Sequence, residues 1–81
     1  MLLTYLDYKI LLKLGFKMNS DMNLWLEGEN FLAVQEFDGY VWCYFKRNGK
    51  FVHYRNVLFL HELKEIYLYY EGKDLKLKHK Q

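Results

Sequence analysis

The chain has 81 residues, the size of one domain, and a chain that short buries only about 60% of the surface its unfolded form exposes. Yet 52% of the residues are hydrophobic and 20% aromatic, more apolar material than one small core hides. A net charge of +2 does not by itself imply nucleic acid, one Cys excludes an intrachain disulfide framework, and no run of about 18 apolar residues offers a membrane span. The Leu-rich start is interrupted by Asp7, Lys9 and Lys13 and lacks a small-residue cleavage site. It does not read as a signal peptide, so a cytoplasmic protein is expected. Phe, Tyr, Met, Ile, Asn and Lys far outnumber Gly, Ala, Arg and Pro, the codon bias of an AT-rich bacterial or phage genome.

Residues 4–14 read as a first helix, with Leu6, Ile10, Leu11 and Leu14 at helical spacing. Thr4 is its expected cap, with Asp7 three residues on as a capping-box partner. Gly15 stands at C′ and Phe16 folds back on Leu11, as in a Schellman end. Residues 17–21 form a loop. Four strand-like runs follow, at 23–27, 30–37, 40–47 and 50–54, rich in aromatic and β-branched residues. Gly28-Glu29, Asp38-Gly39 and Asn48-Gly49 separate them as two-residue turns. The last two are strong hairpin signals, because a type I′ turn needs positive φ at both central residues.

Two-residue turns fix the register. Phe37 then faces Tyr40, Gln35 faces Trp42 and Ala33 faces Tyr44. Likewise Lys46 faces Phe51, Tyr44 faces His53 and Trp42 faces Arg55. One face therefore carries Phe31, Ala33, Gln35, Phe37, Tyr40, Trp42, Tyr44, Lys46, Phe51, His53 and Arg55, joined by Leu24 and Leu26. The other carries Leu32, Val34, Val41, Cys43, Phe45, Val52 and Tyr54, with Trp25. Both faces are apolar.

Residues 57–71 read as a helix stopped by Gly72, with a stripe of Phe59, Leu60, Leu63, Ile66, Tyr67 and Tyr70. A competing reading pairs 66–70 with 75–78 as a final hairpin. The expected fold is α+β: a short N-terminal helix, an antiparallel β-meander of three to four strands, and a C-terminal helix packed on one sheet face. Residues 1–72 make a single small domain and 73–81 a basic C-terminal tail. Without that tail the body carries eight basic and nine acidic residues.

Three stretches are similar to short uncharacterised phage and prophage proteins: Leu14-Gly15-Phe16, His61-Glu62-Leu63 followed by Ile66-Tyr67, and Gly72-Lys73-Asp74-Leu75. The resemblance covers about a third of the chain. It implies a viral or prophage origin and a small α+β fold, and it brings no catalytic residues with it.

The residues themselves offer little chemistry. His61-Glu62 suggests a zincin motif, but the fifth position is Glu65 in place of His, and His53 would have to come from the sheet. Cys43 alternates onto the aliphatic face, where a thiol is a small hydrophobe and not a nucleophile. Glu27, Glu29 and Glu36 lie near hairpin ends, where solvated charge is the default, and no Gly-rich phosphate loop exists. No enzyme, metal or cofactor is expected.

The aromatic face is the candidate site. Two helices spanning about 16 and 22 Å can cover one face of such a sheet, not both. Phe31, Tyr40, Trp42, Tyr44, Lys46, Phe51, His53 and Arg55 then form a partner-binding or dimer interface, with the aromatic composition such interfaces favour. The expected function is a non-catalytic protein-interaction module, a homodimer or a binder of a host or phage protein. Inhibition of a defence protein, in the manner of an anti-CRISPR protein, is one form this takes. The alternatives are a single-stranded nucleic-acid binder using the same rings and a small structural or virion-associated protein.

Overall fold

Asp7 starts the first helix. In the computed structural model, which describes residues 3–21, 23–36 and 38–77, its carboxylate accepts the Ile10 amide at 2.8 Å, and α1 runs Tyr8–Lys13. The expected start at Thr4 is corrected because residues 4–6 are claimed by the chain ahead of the last helix. There Leu6 N–H donates to the Leu58 carbonyl and Leu60 N–H donates to the Thr4 carbonyl. Tyr5 bridges Phe59, with the two rings 4.8 Å apart. The other end of α1 is as the sequence reads. The Gly15 and Phe16 amides donate to Leu12 and Leu11, closing a Schellman motif.

Five antiparallel strands follow in meander order: β1 (Lys17–Met18), β2 (Leu24–Glu27), β3 (Phe31–Gln35), β4 (Val41–Arg47) and β5 (Lys50–Val57). The fifth strand is β1, in the stretch expected to be a loop. Two residues are too few to show an alternating pattern. Asn19 closes that hairpin, its Oδ1 accepting the amides of Asp21 and Asn23.

The β2–β3 turn is centred on Glu29-Asn30 rather than Gly28-Glu29, since Gly28 N–H donates to the Phe31 carbonyl and Glu27 lies opposite Leu32. A two-residue slip leaves the faces unchanged. The β3–β4 turn matters more. Glu36 N–H donates to the Tyr40 carbonyl, so three residues and not two form the loop, with Gly39 at φ 85°. Ala33 consequently pairs with Cys43 and Gln35 with Val41. That one-residue shift turns β2 and β3 over relative to the expected faces. The β4–β5 turn is the expected two-residue one, Asn48 and Gly49 both having positive φ, and Tyr44–His53 and Lys46–Phe51 are opposed as read. Beyond them a bulge intervenes. Cys43 pairs with Arg55 and Trp42 with Asn56, which corrects the expected Trp42–Arg55 pair.

The last helix, α2 (Leu60–Glu71), begins three residues later than expected because Val57 stays in β5. Glu62 Oε1 accepts the Leu58 and Phe59 amides at its entry, and Gly72 ends it at φ 73°. Residues 66–70 are helical, so the hairpin reading is set aside; Lys78 lies outside the described residues. Leu11, Leu14, Phe16, Leu63, Ile66 and Leu75 pack with Leu24, Phe31, Ala33, Val41, Cys43 and Val57 in one core. Leu75 is 5% exposed, so the segment after Gly72 is anchored at that point; residues 78–81 lie outside the described set. Both helices therefore cover one sheet face. The protein is α+β, with one more strand than the sequence reading allows.

Candidate interaction face

The uncovered face is written by alternation from the observed register. It carries Trp25 on β2, Leu32 and Val34 on β3, Trp42, Tyr44 and Lys46 on β4, and Phe51 and His53 on β5. Every apolar side chain among these is half-buried by its neighbours alone. The rings touch: Trp42 and His53 lie 5.0 Å apart, and Tyr44 and His53 5.4 Å. Lysines stand over the margins, Lys46 Nζ 5.3 Å from the Phe51 ring and Lys17 Nζ 5.9 Å from that of Trp25.

Local structure holds these groups in place. Trp42 Nε1 donates to Asp38 Oδ2 at 3.3 Å, while Asp38 Oδ1 accepts the Tyr40 amide. The bulge places Tyr54 and Arg55 on the helix side in succession, and His53 and Asn56 on the open side. His53 Nε2 and Asn56 Oδ1 are then 2.6 Å apart. Burial, then the charges of Glu36 and Cys43, pushes the Tyr44 phenol up. It stays an uncharged hydrogen-bonding group.

Of the eight residues read as a site, five meet on this face: Trp42, Tyr44, Lys46, Phe51 and His53. Tyr40 is exposed at the end of the β3–β4 loop. Phe31 is a correction, because it is fully buried on the helix side, its ring 5.5 Å edge-on to Tyr67. Arg55 is another, because the bulge turns it toward α2, where it pairs with Glu62 at 3.5 Å. Phe37, also read onto the aromatic face, lies outside the described residues. The sequence reading misses Trp25, Leu32, Val34 and Lys17. The first three fall on the wrong face once the β3–β4 loop is counted as two residues, and Lys17 is lost with β1.

Elsewhere the polar groups have structural duties. Glu62 is occupied by two amides and Arg55, and the exposed His61 stacks near Phe59. Among the described residues, no three His, Cys, Asp or Glu side chains are placed to hold a metal ion. Cys43 is fully buried, and burial pushes its thiol up to about 12, with Arg55 pulling the other way and Glu62 adding to the rise. No described helix is long and apolar enough to cross a membrane. Compared with known protein families, curated proteins and solved structures, the chain finds no match.

Proposed function

We propose that this chain is a non-catalytic interaction module that binds protein through the open face of its sheet. The observation that carries the reading is the one-sided cover: both helices lie on one face, while Trp25, Trp42, Tyr44 and Phe51 line the other. Half-buried aromatics ringed by polar groups are the composition of a binding surface. The charges on that face do not favour a polyanion, Lys17 and Lys46 standing against Glu27, Glu36 and the Asp38 carboxylate that holds the Trp42 indole, which suits a protein better. The partner is a second copy or a host or phage protein. The resemblance around His61-Glu62-Leu63 favours a phage or prophage origin, and with it action in the bacterial cytoplasm as an inhibitor of a host or defence protein. Co-purification from a bacterial host together with sedimentation of the pure chain tests this. A single protein recovered in stoichiometric amount, or a dimer at micromolar concentration, each lost in Trp42→Asp, supports it. A monomer that retains nothing refutes it.

One observation favours a second reading. A cation over each of two rings on an open sheet is the arrangement that stacks single-stranded bases while tracking their phosphates. Titration of the tryptophan fluorescence with oligonucleotides at low and moderate salt tests it, and salt-sensitive quenching would displace the protein-binding reading.

A further inference from the structure

Away from the open face, where β5 meets α2, a cleft of about 190 Å³ opens among Tyr54, Arg55, Glu65, Ile66, Tyr69 and Tyr70. The bulge makes it, by turning Tyr54 as well as Arg55 toward the helix. The Tyr54 ring then lies 6.0 Å from that of Tyr70 at 78°, and Tyr69 lies 4.9 Å from Tyr70 at 89°. Phe45 stacks parallel on Tyr70 at 5.5 Å and fixes its plane. Tyr69 is 80% exposed and Tyr54 49%, so neither ring is there to fill the core.

Rings set at right angles around a small cleft present their electron-rich faces from more than one direction, which is what a cation requires. The charges agree. Arg55 lines the cleft, but its guanidinium is already held by Glu62. Glu65 has no ion-pair partner among the described residues. Burial, then the neighbouring Tyr54 and Tyr69 hydroxyls, pushes the Tyr70 phenol up.

We infer that this cleft binds an organic ammonium ion, held against the rings of Tyr54, Tyr69 and Tyr70 with Glu65 as its counter-charge. The ammonium belongs either to a lysine side chain of a polypeptide or to a free quaternary ammonium compound. The site is independent of the open sheet face.

The test is an NMR titration of the full chain with four probes: the N-acetyl amides of lysine and of trimethyllysine, a neutral analogue ending in a tert-butyl group, and a short lysine-containing peptide. Saturable shifts of the Tyr54, Tyr69 and Tyr70 resonances are expected with the cations, and about fivefold weaker binding of the neutral analogue. Tyr69→Ala and Glu65→Gln, both at exposed positions, should weaken the cations by a similar factor and leave the rest of the spectrum unchanged. Trp42→Ala should have no effect, which separates this site from the sheet face. Peptide binding at least as tight as the free trimethylated amide supports a polypeptide source, and binding of the trimethylated amide alone supports a small-molecule one. Absence of saturable shifts with every cation, or equal binding of the neutral analogue, overturns the inference.

Discussion

The carboxylate of Glu71 stands where a side chain on Gly28 would be. A Cβ on Gly28 would lie 2.6 Å from Glu71 Cδ and 2.7 Å from Oε1. Glu71 is the last residue of α2, where a negative charge opposes the helix dipole. It is nonetheless held there by the β2–β3 turn, accepting the Glu29 amide at 3.2 Å and the Asn30 amide at 2.6 Å. Asn30 Nδ2 returns a bond to the Tyr70 carbonyl. One carboxylate thus ties the end of the helix to the tip of a hairpin, and only a glycine lets it approach.

Gly28→Ala is therefore expected to displace that carboxylate and to cost about 0.5–1.5 kcal/mol, the net worth of exposed hydrogen bonds whose amides can turn to water. With Glu71→Ala already present, the same substitution should cost little. Urea unfolding of the two single mutants and the double mutant gives the coupling. Additive effects would mean that the close approach carries no energy.

Cys43 fills space between β3 and β5, on the strand they share. Cys43→Ser should cost about 1–3 kcal/mol by burying a hydroxyl, while partner binding by the folded protein is unchanged. The native thiol should resist alkylation at pH 8 until the chain unfolds. Rapid labelling of the native protein, or lost binding at unchanged stability, would contradict a purely structural thiol.

The same burial predicts a pH dependence. The thiol titrates near 9.0 when unperturbed and is pushed up to about 12 in the fold. The unfolded chain therefore loses this proton first. The stability that the protonated thiol contributes is complete below pH 9 and is lost as pH rises toward 12. Between those limits the wild-type chain should lose about 1.4 kcal/mol per pH unit more than Cys43→Ala. Tyr70 is shifted in the same direction and is common to both proteins, whereas Tyr44 is pushed up in part by Cys43 itself, so the difference between the two curves reports the thiol together with its coupling to Tyr44. Parallel curves for the two proteins, from urea unfolding at several pH values, would exclude the effect.

Local chemistry was legible in the sequence wherever one residue type settles a backbone shape. Asn48-Gly49 states a two-residue turn and Gly15 a Schellman end, and both are found. Asp38-Gly39 is different, because a glycine also serves a three-residue loop, at its left-handed last position. Counting residues there decides which face every side chain of β2 and β3 takes, so Phe31 and Trp25 exchanged sides. The bulge left no mark of its own in the pattern, and it moved Arg55 off the candidate face. What survived was the β4–β5 hairpin, whose register rests on the unambiguous turn. Five of the eight residues read as a site lie on it and remain together.

Trp42 packs against His53 and lies across from Val34 of β3, so it joins those five to the rest of the open face and is the residue to remove. If the face binds protein, Trp42→Ala should weaken the complex by about 2 kcal/mol or more, as central aromatic anchors do. Its effect should vary little with salt, because the contact is apolar. If the face binds single-stranded nucleic acid, affinity should instead fall steeply with salt as counterions leave the phosphates. Lys17→Ala and Lys46→Ala should then each reduce the salt slope by about one, whereas Arg55→Ala, on the far side of the sheet, should not. Binding isotherms for the wild type and these four variants, at about 50 and 200 mM salt, decide the matter. A flat response to salt, with a large loss on Trp42→Ala alone, is the result expected. A response shared by the two lysines and absent at Trp42 would reject the protein-binding reading.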